Sequence, residues 1–332
     1  MSTSNSKSRA SSTGVFATLA SVVAVAGTAA WVHHRARQAE RDHPPQGSFL
    51  TVDGVQLHYI DEGEGPAVVL LHGNAVLLQD YVASGLLRSL SKRHRVILFD
   101  RPGFGHSQRP RDRRWTPRAQ AALLRKALAQ LGVERPLVVA HSLGTLVALG
   151  MALESTVNVR GLVLISGYYY PSARVDVLLT SPAAIPVVGD ALRYTVAPLA
   201  GRLLLKRALR QMFAPAQPPP IFFDLISREM LLRPSQIDAA AADAAFMIPA
   251  VSEFRELYAG LQVPVTLVAG AGDKIVDAAS HSTALHRELP NSTLVLVPGV
   301  GHMVHYAATE DIARTVERMT GASGAPLIQS VQ

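Results

Sequence analysis

The amino-acid sequence predicts an α/β protein with a mainly parallel, doubly wound sheet and an inserted helical lid. Short apolar runs alternate with helical patterns over residues 48–167 and again over residues 263–320, which is typical of parallel strands covered by helices on both faces. Between these parts, residues 168–262 hold helical stretches and a proline-rich break. We therefore expect one core, built from two parts of the chain, with a lid inserted between them.

The strands are predicted from short runs rich in Val, Ile and Leu, and the helices from longer amphipathic patterns. A β-hairpin is predicted over residues 48–62, where apolar and polar residues alternate around Asp53-Gly54. Thr116 and Pro117 predict an N-cap and a first-turn proline for one helix. The other core elements are a strand at residues 66–71, a helix at 78–93, strands at 95–100, 137–140 and 161–167, a strand at 264–270, a helix at 278–288, a strand at 292–297 and a helix ending near 320.

An uncharged run precedes the core. Residues 15–32 (VFATLASVVAVAGTAAWV) carry no charge, and their length is borderline for a membrane span. We expect residues 1–47 to comprise an N-terminal hydrophobic helix, which anchors the chain in a membrane with undecided orientation, and a linker over residues 38–47. The alternative is a signal peptide, cleaved near Ala30, that exports the chain to the periplasm or out of the cell. Residues 321–332 are predicted to be a loose tail.

Composition narrows the functional classes. The chain has 332 residues, 48% hydrophobic and 17% charged, so a large buried core is expected. It has no cysteine, which excludes disulfides, thiolate metal sites and cysteine nucleophiles; we expect neither a metal nor another cofactor. The net charge of +7 is concentrated at residues 101–118 and 202–210. Because no nucleic-acid-binding module is recognisable, these clusters suit an anionic lipid surface or plain solvent, and we expect no nucleic-acid partner.

The segment LVVAHSLGTLVALG, residues 137–150, predicts a strand, a sharp turn at Ser142 and a helix. A serine at such a turn has a strained backbone that lifts its hydroxyl clear of the sheet, and the small residues Ala140 and Gly144 allow the strand and helix to approach closely. Taken alone, the segment fits equally well a serine that caps the helix. It resembles the nucleophile elbow of the α/β-hydrolase family, G-x-S-x-G, with alanine in place of the first glycine.

A serine hydroxyl needs a general base and a third group that orients the base. We predict that His302 is the base, because it follows the last strand in a glycine-bordered loop at the same sheet edge as the elbow; His305 is the second choice. Asp273 follows the preceding strand and is the predicted acid, whereas a capping role suffices for Asp277. The order Ser142, Asp273, His302 is that of the α/β-hydrolase family.

Acyl transfer also needs backbone N–H donors for the oxyanion. We predict the amides of Leu143 and Asn74 as these donors. His72-Gly73 resembles the family's oxyanion motif, in which the glycine permits close backbone approach. His141, beside Ser142, completes the predicted supporting set. With these motifs, residues 48–320 are identified as a member of the α/β-hydrolase family, in its serine hydrolase branch with a helical lid.

The resemblance implies hydrolysis through an acyl-enzyme. We predict a membrane-associated, esterase-like or lipase-like enzyme that cleaves a small apolar carboxylic ester. The alternatives are hydrolysis of a carbon–carbon bond or an amide on the same triad, and a non-catalytic scaffold. Ser142 argues against haloalkane dehalogenases and epoxide hydrolases, which have an aspartate at this position.

The lid sequence predicts two further features. Its large apolar residues are candidates for an acyl pocket or for core packing: Phe213, Phe222, Phe223, Met230 and Met247. Residues 201–210 predict an amphipathic basic helix, in which Leu205 and Leu209, widened by Leu203 and Leu204, pack on the core. Its cationic side is expected to face water or anionic headgroups.

Overall fold

The computed structural model describes residues 6–154, 159–172, 184–185 and 187–322, with side chains from residue 20 onward. The strands are β1 (Ser48–Val52), β2 (Val55–Glu62), β3 (Ala67–Leu71), β4 (Arg95–Phe99), β5 (Leu137–His141), β6 (Gly161–Ile165), β7 (Val265–Gly270) and β8 (Ser292–Val297). The helices of the N-terminal segment and the first core part are α1 (Ser6–Asp42), α2 (Gln79–Ala83), α3 (Leu86–Leu90), α4 (Pro117–Gln130) and α5 (Gly144–Ala152). Those that follow are α6 (Val188–Tyr194), α7 (Val196–Phe213), α8 (Pro220–Leu225), α9 (Arg228–Leu231), α10 (Pro234–Arg255), α11 (Ala284–Glu288), α12 (Val304–Ala307) and α13 (Thr309–Thr320).

The strands form one eight-stranded sheet in the order β1-β2-β4-β3-β5-β6-β7-β8. Strands β3 to β8 are parallel, whereas β2 is antiparallel to its neighbours β1 and β4. This confirms the predicted α/β fold with a mainly parallel sheet. Because β5, β7 and β8 run in the same direction, the loops that follow them all lie at one edge of the sheet.

Local sequence signals account for the element boundaries. Asp53 and Gly54 both have positive φ, 49° and 77°, as the tight turn between β1 and β2 requires. The helix predicted at residues 78–93 is two helices, because the chain turns at Gly85, whose φ is 80°. Thr116 caps α4 by accepting a hydrogen bond from the N–H of Ala119 at 3.2 Å.

Helices α6 to α10 lie between β6 and β7 in the chain and form the lid. Of the lid predicted at residues 168–262, residues 173–183 and 186 lie outside the described residues. Phe213, Phe222 and Met230 pack together in a buried cluster with Met303, the neighbour of His302. Met247 belongs to the main core, and Phe223 is half exposed at 50%. These side chains therefore join the lid to the core.

The predicted packing of α7 is correct for two leucines and wrong for two others. Leu209 is buried and Leu205 is half-buried, whereas Leu203 and Leu204 are 83% and 59% exposed. Successive helical residues are rotated by about 100°, so Leu203 and Leu204 lie far around the helix from the packed face. Both leucines therefore share the outer surface with the basic residues.

The C-terminal half of α1 packs against the lid. Val32 and Ala39 are buried, Glu40 pairs with Arg233 at 2.9 Å, and Arg35 lies 3.4 Å from Glu229. These contacts hold the helix as far as Asp42, so it extends into the segment predicted as a linker.

Within the part of the chain that the structure describes, no helix has both the length and the apolar character needed to cross a bilayer. The predicted anchor begins at Val15, and the side chains of residues 15–19 lie outside the described ones. The anchor therefore stays a prediction.

Candidate active site

Ser142 lies at the turn between β5 and α5, with a φ of 52°. Two glycines make room for this turn. A Cβ on Gly144 would lie 2.5 Å from the carbonyl oxygen of Leu71, and a Cβ on Gly73 would lie 3.1 Å from the Cβ of Ser142. Ala140 is fully buried on the strand side. Only small residues fit at these points, so the local sequence enforces the strained serine.

The structure brings Ser142, His302 and Asp273 together. The Ser142 hydroxyl donates to Nε2 of His302 at 2.9 Å, and Nδ1 of His302 donates to Oδ2 of Asp273 at 2.8 Å. The other carboxylate oxygen of Asp273 accepts the N–H groups of Ile275 and Val276. The side chains of His302 and Asp273 are almost completely buried, at 2% and 0% exposure. A serine hydroxyl, an imidazole and a carboxylate are therefore linked by hydrogen bonds in the order that the predicted triad requires.

The two second-choice residues have other partners. Asp277 accepts hydrogen bonds from the N–H and the hydroxyl of Ser280 and so caps the turn at Ala279–Thr283. His305 forms a buried pair with Asp80, in which its Nε2 lies 2.9 Å from Oδ2. The hydroxyl of Tyr306 donates to the other oxygen of Asp80 at 2.8 Å. Both second choices therefore have structural hydrogen bonds away from the Ser142 hydroxyl.

One predicted oxyanion donor, Leu143, follows Ser142 in the chain, and the other, Asn74, follows the glycine that lies against this serine. Leu143 directly precedes α5, where backbone N–H groups have no partner within the helix. Among the described residues, the N–H groups of Leu143 and Asn74 form no hydrogen bond. The Asn74 side chain holds its loop in place, because it donates to the carbonyl of Ala240 at 3.0 Å and accepts from the N–H of Ala75.

His72 and Arg101 fix the loop that carries Asn74. Nδ1 of His72 donates to the carbonyl of Gly73 at 2.8 Å, and its Nε2 accepts the N–H of Arg101 at 3.0 Å. The Arg101 guanidinium donates to the carbonyls of both His72 and Gly73. Burial, together with the neighbouring Arg101 charge, lowers the pKa of His72 to about 4. The imidazole is therefore neutral at pH 7, with one nitrogen donating and the other accepting.

The His72 imidazole should make the protein less stable in acid. The pKa of a histidine in the unfolded chain is about 6.5, so the unfolded state binds the proton more readily than the folded state. The contribution of His72 to the free energy of unfolding is therefore complete above about pH 6.5 and falls by about 3 kcal/mol as the pH drops towards 4. Urea unfolding at a series of pH values between neutral and acidic measures this slope.

The control for this slope is His72→Asn, which removes the titrating group. The variant should show a shallower loss of stability over the same pH range. The remaining slope includes His141, because burial also lowers the pKa of that group well below its ordinary value. A slope identical to that of the wild type would contradict the role of His72.

Sequence reasoning missed a buried charge cluster beneath the site. Arg101 is completely buried, and its guanidinium donates to Asp243 of α10 and to Gln120 of α4. Arg109 donates to the other oxygen of Asp243 at 2.9 Å. The assignment of Arg101 and Arg109 to an exposed basic surface is therefore wrong, because Asp243 draws both inward. The available signal was Asp243 itself, a single charge within the alanine-rich run of residues 239–245.

The sequence predicted His141 only as a residue beside Ser142 and gave no indication of its hydrogen bond to the loop of His302. Nε2 of His141 donates to the carbonyl of His302 at 3.1 Å, which links the end of β5 to the loop that carries His302. The lid contacts the same loop, because the N–H of His302 donates to the carbonyl of Met212 at 3.1 Å. A Cβ on Gly301 would lie 1.9 Å from the carbonyl oxygen of Ala214, so only glycine permits this approach.

A cavity of about 640 Å³ lies apart from these residues, between α1, the loop at residues 103–111 and the lid. None of its lining residues is Ser142, Asp273 or His302. Among the described residues that line it, all four arginines pair with carboxylates: Arg109 with Asp243, Arg111 with Asp190, Arg193 with Asp238, and Arg233 with Glu40. The cavity therefore does not define the site of the chemistry.

The fold agrees with comparisons to known proteins. A family model described as "alpha/beta hydrolase fold" matches residues 66–309, and the chain belongs to this family.

Three similar proteins illustrate the range within the family. The chain is 28% identical to haloalkane dehalogenase 2 of Mycobacterium tuberculosis over 130 residues, which cover 39% of this chain and only 45% of that protein. It is 28% identical to an uncharacterised protein of M. tuberculosis over 292 residues, covering 82% of this chain and 80% of the other. A thermophilic esterase from Thermogutta terrifontis has the same fold, with a TM-score of 0.68, 22% identity, and coverage of 83% and 98%.

Proposed function

We propose that this protein is a serine hydrolase that cleaves an apolar carboxylic ester through an acyl-enzyme. Ser142 is the nucleophile, His302 takes the hydroxyl proton and later delivers it to the leaving alcohol, and Asp273 orients the imidazole. The amides of Leu143 and Asn74 stabilise the oxyanion. Water then attacks the acyl-enzyme with His302 again as the base, which releases the carboxylic acid and restores the serine.

The observation that carries the proposal is the pair of hydrogen bonds from Ser142 to His302 and from His302 to Asp273, at 2.9 and 2.8 Å. Nδ1 of His302 is satisfied by the carboxylate, which leaves Nε2 to accept the serine proton. The N–H groups of Leu143 and Asn74, which have no hydrogen-bond partner among the described residues, add the donors that acyl transfer requires.

Several alternatives to ester hydrolysis exist, and two of them differ from it only in the bond that is cleaved. Hydrolysis of a carbon–carbon bond or an amide would use the same serine, base and donors. A haloalkane dehalogenase activity is disfavoured, although a named relative has it, because Ser142 stands where that reaction uses an aspartate. A non-catalytic scaffold is disfavoured because the serine, base and acid are all present and in contact.

We also propose that the protein is associated with a membrane. Residues 20–27 of α1 are exposed and uncharged, and include Val22, Val23 and Val25 at 60%, 69% and 55% exposure. An isolated helical segment of this kind gains little from tertiary packing, so burial of its apolar side chains in lipid would stabilise it.

Labelling with a fluorophosphonate tests both proposals. We expect the probe to modify Ser142, as read by mass spectrometry, and the labelled full-length protein to stay in the membrane pellet after a high-salt wash, because apolar burial is not screened by salt. A panel of p-nitrophenyl esters of increasing acyl length should then show turnover. Labelling without ester turnover would favour the carbon–carbon or amide alternative, and no labelling would favour the scaffold.

A further inference from the structure

The outward face of α7 is apolar in its first half and cationic in its second half. Its first half exposes Val196, Leu199 and Leu203, at 59%, 43% and 83%, and these residues recur every three or four positions along one line of the helix. Leu204 widens this stripe and is 59% exposed. The opposite side of the helix packs on the protein through Pro198, Leu209 and Phe213, which are all buried. The exposed apolar residues are therefore additional to those that hold the lid in place.

The second half of the same face is cationic. Lys206, Arg207 and Arg210 are exposed, and among the described residues none of them forms an ion pair or a hydrogen bond through its side chain. Arg202, on the flank of the helix, pairs instead with Glu229 and lies over the ring of Trp31. Three exposed cations, with no acidic partner in the described part of the chain, therefore follow directly after an exposed leucine stripe.

We propose that this face of α7 docks on an anionic lipid bilayer. The leucine stripe fits the boundary between headgroups and acyl chains, and the three cations fit anionic headgroups. The proposal rests on the proposed membrane association and deepens it, because it names the surface that meets the bilayer and the charge of the lipid.

Charge also decides between a bilayer and a second copy of the chain. A symmetric dimer through this face would place the same patch on both partners, so six cations would share one interface to which α7 contributes no carboxylate. Like charges brought together in this way repel, whereas anionic headgroups neutralise them. The bilayer is therefore the occupant that satisfies both halves of the face.

The docked helix would bring lipid close to the base. Leu203 and Met212 are separated by about 14 Å along the helix axis, at a rise of about 1.5 Å per residue. Met212 accepts the backbone hydrogen bond of His302, so the end of α7 contacts the loop of the catalytic site. A lipid-like ester leaving the bilayer would thus have a short path to Ser142.

A fluorescent label on the leucine stripe tests the docking. The chain has no cysteine, so Leu204→Cys gives a unique attachment point for an environment-sensitive dye. Lys92→Cys, at an exposed position on the core, is the matched control label. Both are made in full-length protein that also carries Ser142→Ala, so binding is read without hydrolysis. The vesicles are equimolar phosphatidylcholine and phosphatidylglycerol, or phosphatidylcholine alone.

We expect a blue shift and brighter emission from the label at position 204 on the anionic vesicles, and no change from the label at position 92. High salt should weaken the response of this label, and the reversal Lys206→Glu with Arg207→Glu should shift the docking equilibrium that it reports by about tenfold or more towards the undocked state, while α1 still holds the protein on the vesicle. The matched reversal Arg88→Glu with Lys92→Glu changes the net charge equally at exposed core positions and should leave the response of the label at position 204 unchanged.

Several results would overturn the proposal. An equal response from the labels at positions 204 and 92, or an equal response of the label at position 204 to neutral and anionic vesicles, would not fit docking of α7. An equal loss of response with both charge reversals would also contradict it, as would a response without vesicles accompanied by a dimeric mass. Ester turnover is measured separately on a short soluble ester, in protein that keeps Ser142. Failure of catalysis and failure of docking are therefore seen in different assays.

Discussion

Ser142→Ala and His302→Ala should each lower kcat for an ester substrate by about 10⁴-fold or more, with little change in the urea midpoint of unfolding. Alanine removes the nucleophile in the first variant and the proton acceptor at 2.9 Å from it in the second. The double variant should be no slower than the slower single variant, because serine and histidine act as one unit. Stopped assays on a p-nitrophenyl ester, corrected for spontaneous hydrolysis, measure these rates.

The two aspartates near the end of β7 provide a matched control. Asp273→Asn should also cost several orders of magnitude, because the amide no longer holds the His302 imidazole in the tautomer that accepts the serine proton. Asp277→Asn removes the charge of a carboxylate that accepts hydrogen bonds from Ser280, and it should leave kcat within about twofold of the wild-type value. The acid assignment would be wrong if Asp277→Asn were the damaging change, and the mechanism would be wrong if Ser142→Ala kept its activity.

The sequence predicted that Ser142, Asp273 and His302 lie close together, because their positions depend on the topology of the sheet. Ser142, Asp273 and His302 follow three parallel strands, and the carboxyl ends of parallel strands share one sheet edge. Once the strands are recognised from their apolar runs, the convergence of these loops follows. The close backbone approaches at Gly73 and Gly144 are also predictable from the local sequence, since no larger residue fits at either position.

Features that depend on packing between distant segments were not predictable in this way. Arg101 and Asp243 are 142 residues apart, and the sequence around Arg101 contains several other arginines that remain at the surface. On α7, periodicity alone placed four leucines on one face, but the packed face is narrower and leaves Leu203 and Leu204 outside. Both outcomes are set by which neighbouring element covers a side chain, and a single sequence does not contain that information directly.

Asp243→Ala should lower the free energy of unfolding by about 3–5 kcal/mol, because it leaves the buried Arg101 charge without its partner. The Asp243 carboxylate is completely buried and accepts hydrogen bonds from Arg101, Arg109 and Gln120. Breaking a buried pair on one side is costly because the remaining charge is removed from water and is no longer compensated. Urea unfolding followed by circular dichroism measures the loss.

Two companion variants separate the lost charge from a general weakening of α10. Asp238 lies on the same helix and pairs with Arg193, which also pairs with Asp190. Asp238→Ala should therefore lower the free energy of unfolding by only about 1 kcal/mol or less. Asp243→Asn keeps an oxygen acceptor without the charge and should fall between the two alanine variants. Because Arg101 also donates to the carbonyls of His72 and Gly73, Asp243→Ala should lower kcat at a urea concentration where the protein is still folded. Equal losses from Asp238→Ala and Asp243→Ala would show that the uncompensated Arg101 charge is not the cause of the lost stability.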